Sequence, residues 1–175
     1  TMRSVLHYNP LADQVKILKN VYDSLSISGY FINQFTSGTE LQCRLRSELV
    51  NHPLLGRAKF DGQYHWVTVE QYLDLLQQAG FVSGKLSGYA PTVYWGPLDQ
   101  WNRFHSKGLE EARESGDLER VKELEDNREA YLSEANKIID SYKKISNNDE
   151  LGIAVEENGN YVIGSAYPIV VSQKN

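Results

Sequence analysis

Met2-Arg3-Ser4-Val5-Leu6-His7-Tyr8, the run Asn9-Pro10 through Leu25, and Gly29-Tyr30-Phe31-Ile32-Asn33-Gln34-Phe35 make up the stretch that decides the fold. A short apolar run, an amphipathic segment and a second short apolar run predict a strand–helix–strand unit. Such a unit is stable in water only as a parallel crossover inside a larger sheet. His7, Tyr8 and Asn9 are expected to close the first strand, and Asn33 and Gln34 the second. The carboxyl ends of neighbouring parallel strands are where open α/β sheets bind ligands, so these polar residues are the first site candidates.

Asn9 is a candidate cap and Pro10 suits a first helical turn. Leu11, Val15, Leu18, Tyr22 and Leu25 then recur at helical spacing and need a sheet to lie on. Ser26-Ile27-Ser28-Gly29 breaks that helix, and Tyr30-Phe31-Ile32 has the aromatic and β-branched content of a strand. Leu41, Leu45, Leu49 and Val50 predict another helix, ended by Asn51-His52-Pro53, with Gly56 and Gly62 marking loops. Residues 36–63 are expected to form a mobile excursion above the sheet.

The clearest local signal follows. Thr68 and Gln71 form a capping box, Val69, Tyr72, Leu73 and Leu76 share one face, and Gly80 supplies a left-handed stop. Phe81–Tyr89 is expected to be a strand. Beyond the aromatic residues Tyr94, Trp95, Trp101 and Phe104 lies a charged helical region from about 106 to 145, split by Ser115-Gly116-Asp117, with Asp117 as a cap. In its second helix Tyr131, Ala135, Ile138, Tyr142 and Ile145 make an apolar stripe, and Glu and Lys fill the other face. Leu151–Val155, a turn at Glu157-Asn158-Gly159-Asn160 and Tyr161–Ser172 predict a hairpin. The resulting division is 1–96 for the α/β core, 97–148 for a helical insertion and 149–175 for a hairpin that completes the sheet.

Composition narrows the partners. The 175 residues are 41% apolar and 23% charged, enough for a real core. A net charge of −5 with scattered basic residues gives no footprint for nucleic acid or an anionic membrane, which leaves small molecules or another protein. The lone Cys43 cannot form an internal disulfide, and neither a signal peptide nor a long apolar span is read, so a cytoplasmic setting is expected. His52 and His105 are expected to face solvent. The acidic run around Glu110, Glu111, Glu119, Glu123, Glu125 and Asp126 alternates with Lys and Arg and is a solvated helix face.

Ser-Val-Leu-His-Tyr, the helix ending near Leu25, Gly-Tyr-Phe-Ile, then Tyr64-His65-Trp66-Val67-Thr68 leading to Ala79-Gly80-Phe81, together resemble the second half of class I methyltransferases dependent on S-adenosylmethionine. Ile169-Val170-Val171-Ser172-Gln173-Lys174 is similar to their last strand. The resemblance covers residues 2–35 and 64–90 and that final strand. It implies an α/β, Rossmann-like sheet made of the family's C-terminal strands, with the last strand inserted antiparallel and a helical insertion as a lid.

Two departures stand out. Ser26-Ile27-Ser28-Gly29 replaces the family's common Lys-Pro-Gly-Gly before its fifth strand. More seriously, the chain has no glycine-rich strand-to-helix turn followed about 20 residues later by an acidic residue, the part that holds S-adenosylmethionine. No cofactor-binding residue is therefore assigned. The partner expected is a missing N-terminal half of the same protein or a chain that completes a split enzyme.

What the resemblance implies for chemistry is methyl transfer to a small molecule or a carrier-protein-bound acyl group, in biosynthesis of the polyketide type. His7 would be a general base or substrate hydrogen-bonder, and Gln34 would orient the acceptor. A variant has His7 and Gln34 holding one divalent metal. Tyr8, Tyr64, His65, Trp66, Tyr94 and Trp95 are the substrate-wall candidates, with turn packing or a cluster that glues the insertion to the sheet as the alternative for the aromatic residues. Two other functions stay open: a catalytically silent methyltransferase-like docking module in a larger assembly, and a non-methylating α/β enzyme.

Overall fold

The structure, a computed structural model, describes residues 1–3, 5–55, 64–156 and 159–175. Gly56, Gly62, Glu157 and Asn158, expected in loops and a turn, lie outside the described residues. The chain forms two compact units: Thr1–Ser47, Asp61–Val93 and Ser165–Asn175 in the first, and Glu48–Phe60 and Tyr94–Gly164 in the second.

The first unit is built on the expected crossover. Strand β1 (Met2–Arg3) leads through helix α1 (Leu11–Ser24) to β2 (Tyr30–Gln34), and β1 and β2 pair in parallel with Met2 opposite Asn33 and Arg3 opposite Gln34. After helix α2 (Glu40–Val50) come α3 (Val69–Gln78) and β3 (Ser83–Trp95). The last strand, β5 (Tyr161–Gln173), inserts antiparallel beside β2, with Tyr30 opposite Gln173, Ile32 opposite Val171 and Gln34 opposite Ile169. The strand order is β1-β2-β5-β3, so among the described residues β1 is the last strand on its side.

Helices α1 and α3 bring Leu18, Tyr72, Leu75 and Leu76 onto the strand residues Phe31 and Val170, with Phe35 and Phe81 in the same core. Each such apolar side chain contributes roughly 1.5–3 kcal/mol when fully buried. The capping box forms as read: Thr68 Oγ1 accepts from the Gln71 backbone N–H (3.2 Å), and Gln71 Oε1 accepts from the Thr68 N–H (3.0 Å). Gly80 stops the helix at φ +106°, where a side chain would also meet the Tyr22 ring.

Three local expectations are corrected here. The first strand ends at Arg3, and Leu6–Tyr8 is a single 3-10 turn, so His7 and Tyr8 sit past the strand. Asn9 does not cap α1; its side-chain amide donates back toward the Val5 and Leu6 carbonyls, both at 3.4 Å. Nor is 36–63 a mobile excursion throughout, because α2 is packed: Leu45, Arg46 and Leu49 are fully buried. Arg46 donates from Nη1 to the Ser37 carbonyl (2.9 Å), and burial pushes its guanidinium below its ordinary pKa.

The second unit holds helices α4 (Pro97–Glu114), α5 (Leu118–Lys143) and α6 (Asn148–Leu151), strand β4 (Ile153–Val155) and the start of β5. Helix α4 begins earlier than the charge pattern suggested, because the Gly96 N–H donates to the Asp99 carboxylate (2.7 Å) and Pro97 occupies the first turn. The break at 115–117 is as expected, with Asp117 accepting from the Arg120 N–H (3.0 Å). Along α5 Tyr131, Ala135 and Tyr142 are buried as expected, but the buried isoleucine is Ile139 and not Ile138, and Ile145 is 67% exposed. Of the residues Leu151–Val155 expected to open the hairpin, Leu151 instead ends a short helix, α6, capped by Asn147 and closed by Gly152 at φ +66°, and the strand starts at Ile153. The hairpin itself is present, Ile153 pairing with Ile163 and Val155 with Tyr161, antiparallel.

His52 and His105 are half-buried rather than solvent-facing. The His105 ring stacks on Trp101 (4.0 Å between centroids) with Nε2 3.0 Å from the Leu55 carbonyl oxygen, and the His52 ring lies 5.8 Å from that of Tyr131. The acidic run is solvated and ion-paired, as in Arg113–Glu125 (2.7 Å) and Arg120–Glu123 (2.6 Å). Among the described residues no helix is long and apolar enough to cross a membrane.

Candidate functional site

The site grows from the turn after β1. In that turn the Tyr8 N–H donates to the Val5 carbonyl (3.2 Å) and the Asn9 N–H to the Leu6 carbonyl (2.9 Å). This turn presents the His7 and Tyr8 rings side by side, 4.2 Å apart. Across from it runs the extended segment before α3, whose His65 N–H donates to the His7 carbonyl (2.9 Å). Trp66 therefore stacks on the His7 imidazole (5.4 Å, planes 15° apart), Tyr64 stacks on Trp66 (5.7 Å), and Tyr8 meets Tyr64 edge-on (5.1 Å).

What fixes the two segments together is Gln14, which is fully buried in α1. Its Nε2 donates to the Asn9 carbonyl (2.9 Å) and to the His65 carbonyl (3.1 Å). Its Oε1 is buried with no hydrogen-bond partner among the described residues. Sequence reasoning missed this residue, although it breaks the apolar stripe between Leu11 and Leu18. The end of β2 is tied to the same segment through Ser37, whose Oγ donates to the Val67 carbonyl (2.8 Å). Asn33 is structural: its Nδ2 donates to the Tyr72 hydroxyl (2.8 Å) inside the core. Burial pushes the Tyr72 phenol well above its ordinary pKa, and that hydrogen bond works the other way.

Next to the stack is a groove of about 300 Å³ walled by Leu11, Trp66, Val67 and Leu75, with His65, Ser47, Gln71, Asp74 and Gln78 supplying polar atoms. Its mixed lining suits a small, mostly apolar ligand with a few hydrogen-bonding groups. Gln34 lines a different groove, with Thr1, Met2, Arg3, Ile32 and Ile169. The structure thus gathers His7, Tyr8, Tyr64, His65 and Trp66 and leaves Gln34 on another surface. Tyr94, 58% exposed, and Trp95 belong to the second unit.

These residues do not fit S-adenosylmethionine by themselves. A sulfonium nucleotide needs free backbone N–H groups and a close backbone approach, which a glycine-rich turn provides. Here the turn after β1 contains no glycine, the Tyr8 and Asn9 N–H groups are already bonded, and Pro10 has none. Among the described residues no three His, Cys, Asp or Glu side chains gather as a metal site, so the divalent-metal variant with His7 and Gln34 gains no support.

No family model matches the chain, and no curated protein matches it. Solved structures do. The YcgJ protein of Bacillus subtilis superposes with a TM-score of 0.54 at 13% identity, over 99% of this chain and 62% of that one. A protein of Bacillus halodurans, BH2331, described as a proposed methyltransferase, superposes with a TM-score of 0.52 at 15% identity, over 98% of this chain and 62% of that one. The chain thus spans less than two thirds of the length of either structure. Its fold is the Rossmann-like, class I methyltransferase-like sheet with the last strand antiparallel, as the sequence resemblance implied.

Proposed function

We propose that the chain forms the acceptor side of an S-adenosylmethionine-dependent methyltransferase acting on a small molecule or a carrier-bound acyl group, with the methyl donor held by residues other than those described. The observation that carries this reading is the strand order β1-β2-β5-β3 with β5 antiparallel, which puts a stitched aromatic stack just past the end of β1. A polyketide-type setting is the finer form of the proposal.

In this reading the protein's work is alignment and exclusion of water. Trp66 and Tyr64 would hold the flat or apolar part of the acceptor, and the stacked His7 imidazole would take the acceptor's proton or hydrogen-bond to it. Gln14 would act as a positioning residue, since it fixes both segments without reaching the acceptor. The second reading is a catalytically silent docking module, in which the same bonded turn, with the Tyr8 and Asn9 N–H groups already donating to Val5 and Leu6, serves packing alone.

Methyl transfer by the complete protein separates the two. His7→Ala is expected to lower turnover about 100-fold while changing cofactor affinity little. Equal losses in both would mark His7 as structural, and no transfer by the unaltered protein to any acceptor would favour the silent module.

A further inference from the structure

Gln71, Asp74, Leu75 and Gln78 fall at helical spacing on one side of α3 and form a wall of the groove beside the aromatic stack. Leu75, 8% exposed, makes the apolar part of that wall, facing the same groove as Leu11 and Val67. Asp74 is exposed and is the one carboxylate among the described lining residues, which include no Lys and no Arg. The other ionisable side chain there is the His65 imidazole. Two of the polar neighbours are already engaged: Gln71 Oε1 accepts from the Thr68 N–H (3.0 Å), and the Ser47 hydroxyl donates to the Cys43 carbonyl (2.9 Å). The Asp74 carboxylate has no hydrogen bond or ion pair among the described residues. The groove that Gln34 lines carries the opposite sign, through Arg3.

We infer that this groove selects a small-molecule amine, its ammonium held at the Asp74 carboxylate and its flat or apolar body laid along Leu75 and Val67 toward Trp66. The Trp66 ring both walls the groove and stacks on His7 (5.4 Å), so the far end of such a ligand reaches the stack. Asp74 lies six residues past the Thr68 cap. That is roughly 9 Å along the helix axis, a span filled by one ring and a short spacer. The ammonium is an anchor and not the methylated atom, because a carboxylate holds an amine in its protonated form, which has no lone pair to attack a methyl group. Binding energy gained at the anchor is then available to align the other end of the molecule. A carrier-bound acyl group would bring an anionic phosphate linker, which a lining with one carboxylate and no Lys or Arg repels, so of the two acceptor classes proposed above the groove favours the small molecule. That the groove serves the acceptor rests on the methyltransferase reading; its preference for an amine stands on the lining alone.

The test is binding of three matched probes, phenethylamine, phenethyl alcohol and phenylacetate, to the full-length protein without S-adenosylmethionine, followed by NMR at the indole N–H signals. At about pH 8, where the amine is protonated, it is expected to bind about fivefold more tightly than the alcohol, with phenylacetate the weakest. The Trp66 signal is expected to move and that of Trp101, 3% exposed in the second unit, to stay. Asp74→Asn, at an exposed position, should bring the amine and the alcohol to equal affinity, and Asp74→Glu should keep the preference. Equal affinity for the amine and the alcohol in the unaltered protein, no binding of either, a preference unchanged in Asp74→Asn, or a shift confined to Trp101 overturns the inference. A protein that binds S-adenosylmethionine and shows no amine preference overturns the amine site alone. An Asp74-dependent preference in a protein that does not bind S-adenosylmethionine supports the amine site and counts against the methyltransferase reading.

Discussion

Within five residues, β2 presents two sides of similar composition in opposite surroundings. Phe31 is 3% exposed under the two helices, and its neighbour Ile32 is 42% exposed on the bare side. An apolar residue in a strand thus records what the sheet needs on both faces, while among the described residues of this unit one face carries the packed helices. Truncating a side chain on each face separates the two. In the 175-residue chain Phe31→Ala should cost about 3–5 kcal/mol, read as a fall in unfolding midpoint, because it opens a cavity among packed rings. Ile32→Ser in the same chain should stay within about 0.5 kcal/mol, the range of surface changes, and a loss comparable to that at Phe31 would show that the bare side is already packed.

A smaller effect is expected at the polar pair inside the covered side. Tyr72→Phe leaves the Asn33 amide buried without its partner and should cost about 1–3 kcal/mol in urea unfolding. The unaltered protein should also lose stability as pH rises past the ordinary phenol value of 10.0. Burial raises the Tyr72 pKa, so above that value the unfolded chain releases a proton that the folded one keeps. Tyr72→Phe should flatten this alkaline decline, and an unchanged slope would assign it to other groups. Smaller still, Gln14→Leu removes both stitches under the aromatic stack but also an orphaned buried oxygen, so a net cost of about 1 kcal/mol is expected, with a larger relative effect on turnover than on stability.

Much of the fold was legible because its signals are local and repeated. The Thr68–Gln71 box, the stripe of α1, the break at Ser115–Asp117 and the pairing of β4 with β5 each depend on residues a few positions apart. What escaped depends on distant partners. Whether Leu45 and Leu49 lie in a mobile loop or a packed helix is decided by what surrounds them, and so is the half-buried state of His105 against Trp101. The site was legible as a set of rings, since Tyr8, Tyr64, His65 and Trp66 were all read as candidates beside His7. The pairing of His7 with Gln34 was an inference from adjacent strand ends. In the structure β1 spans Met2–Arg3, His7 lies in the 3-10 turn Leu6–Tyr8, and Gln34 lines a separate groove. Gln14 was visible as a polar interruption of an apolar stripe, but its two carbonyl partners are not written near it.

Methyl transfer by this fold, as proposed, requires that the protein bind S-adenosylmethionine. Calorimetry of S-adenosylmethionine binding to the full-length protein, with and without chelator, measures this. Saturable binding is expected, and the absence of any heat of binding in either condition would rule out the methyl-transfer role.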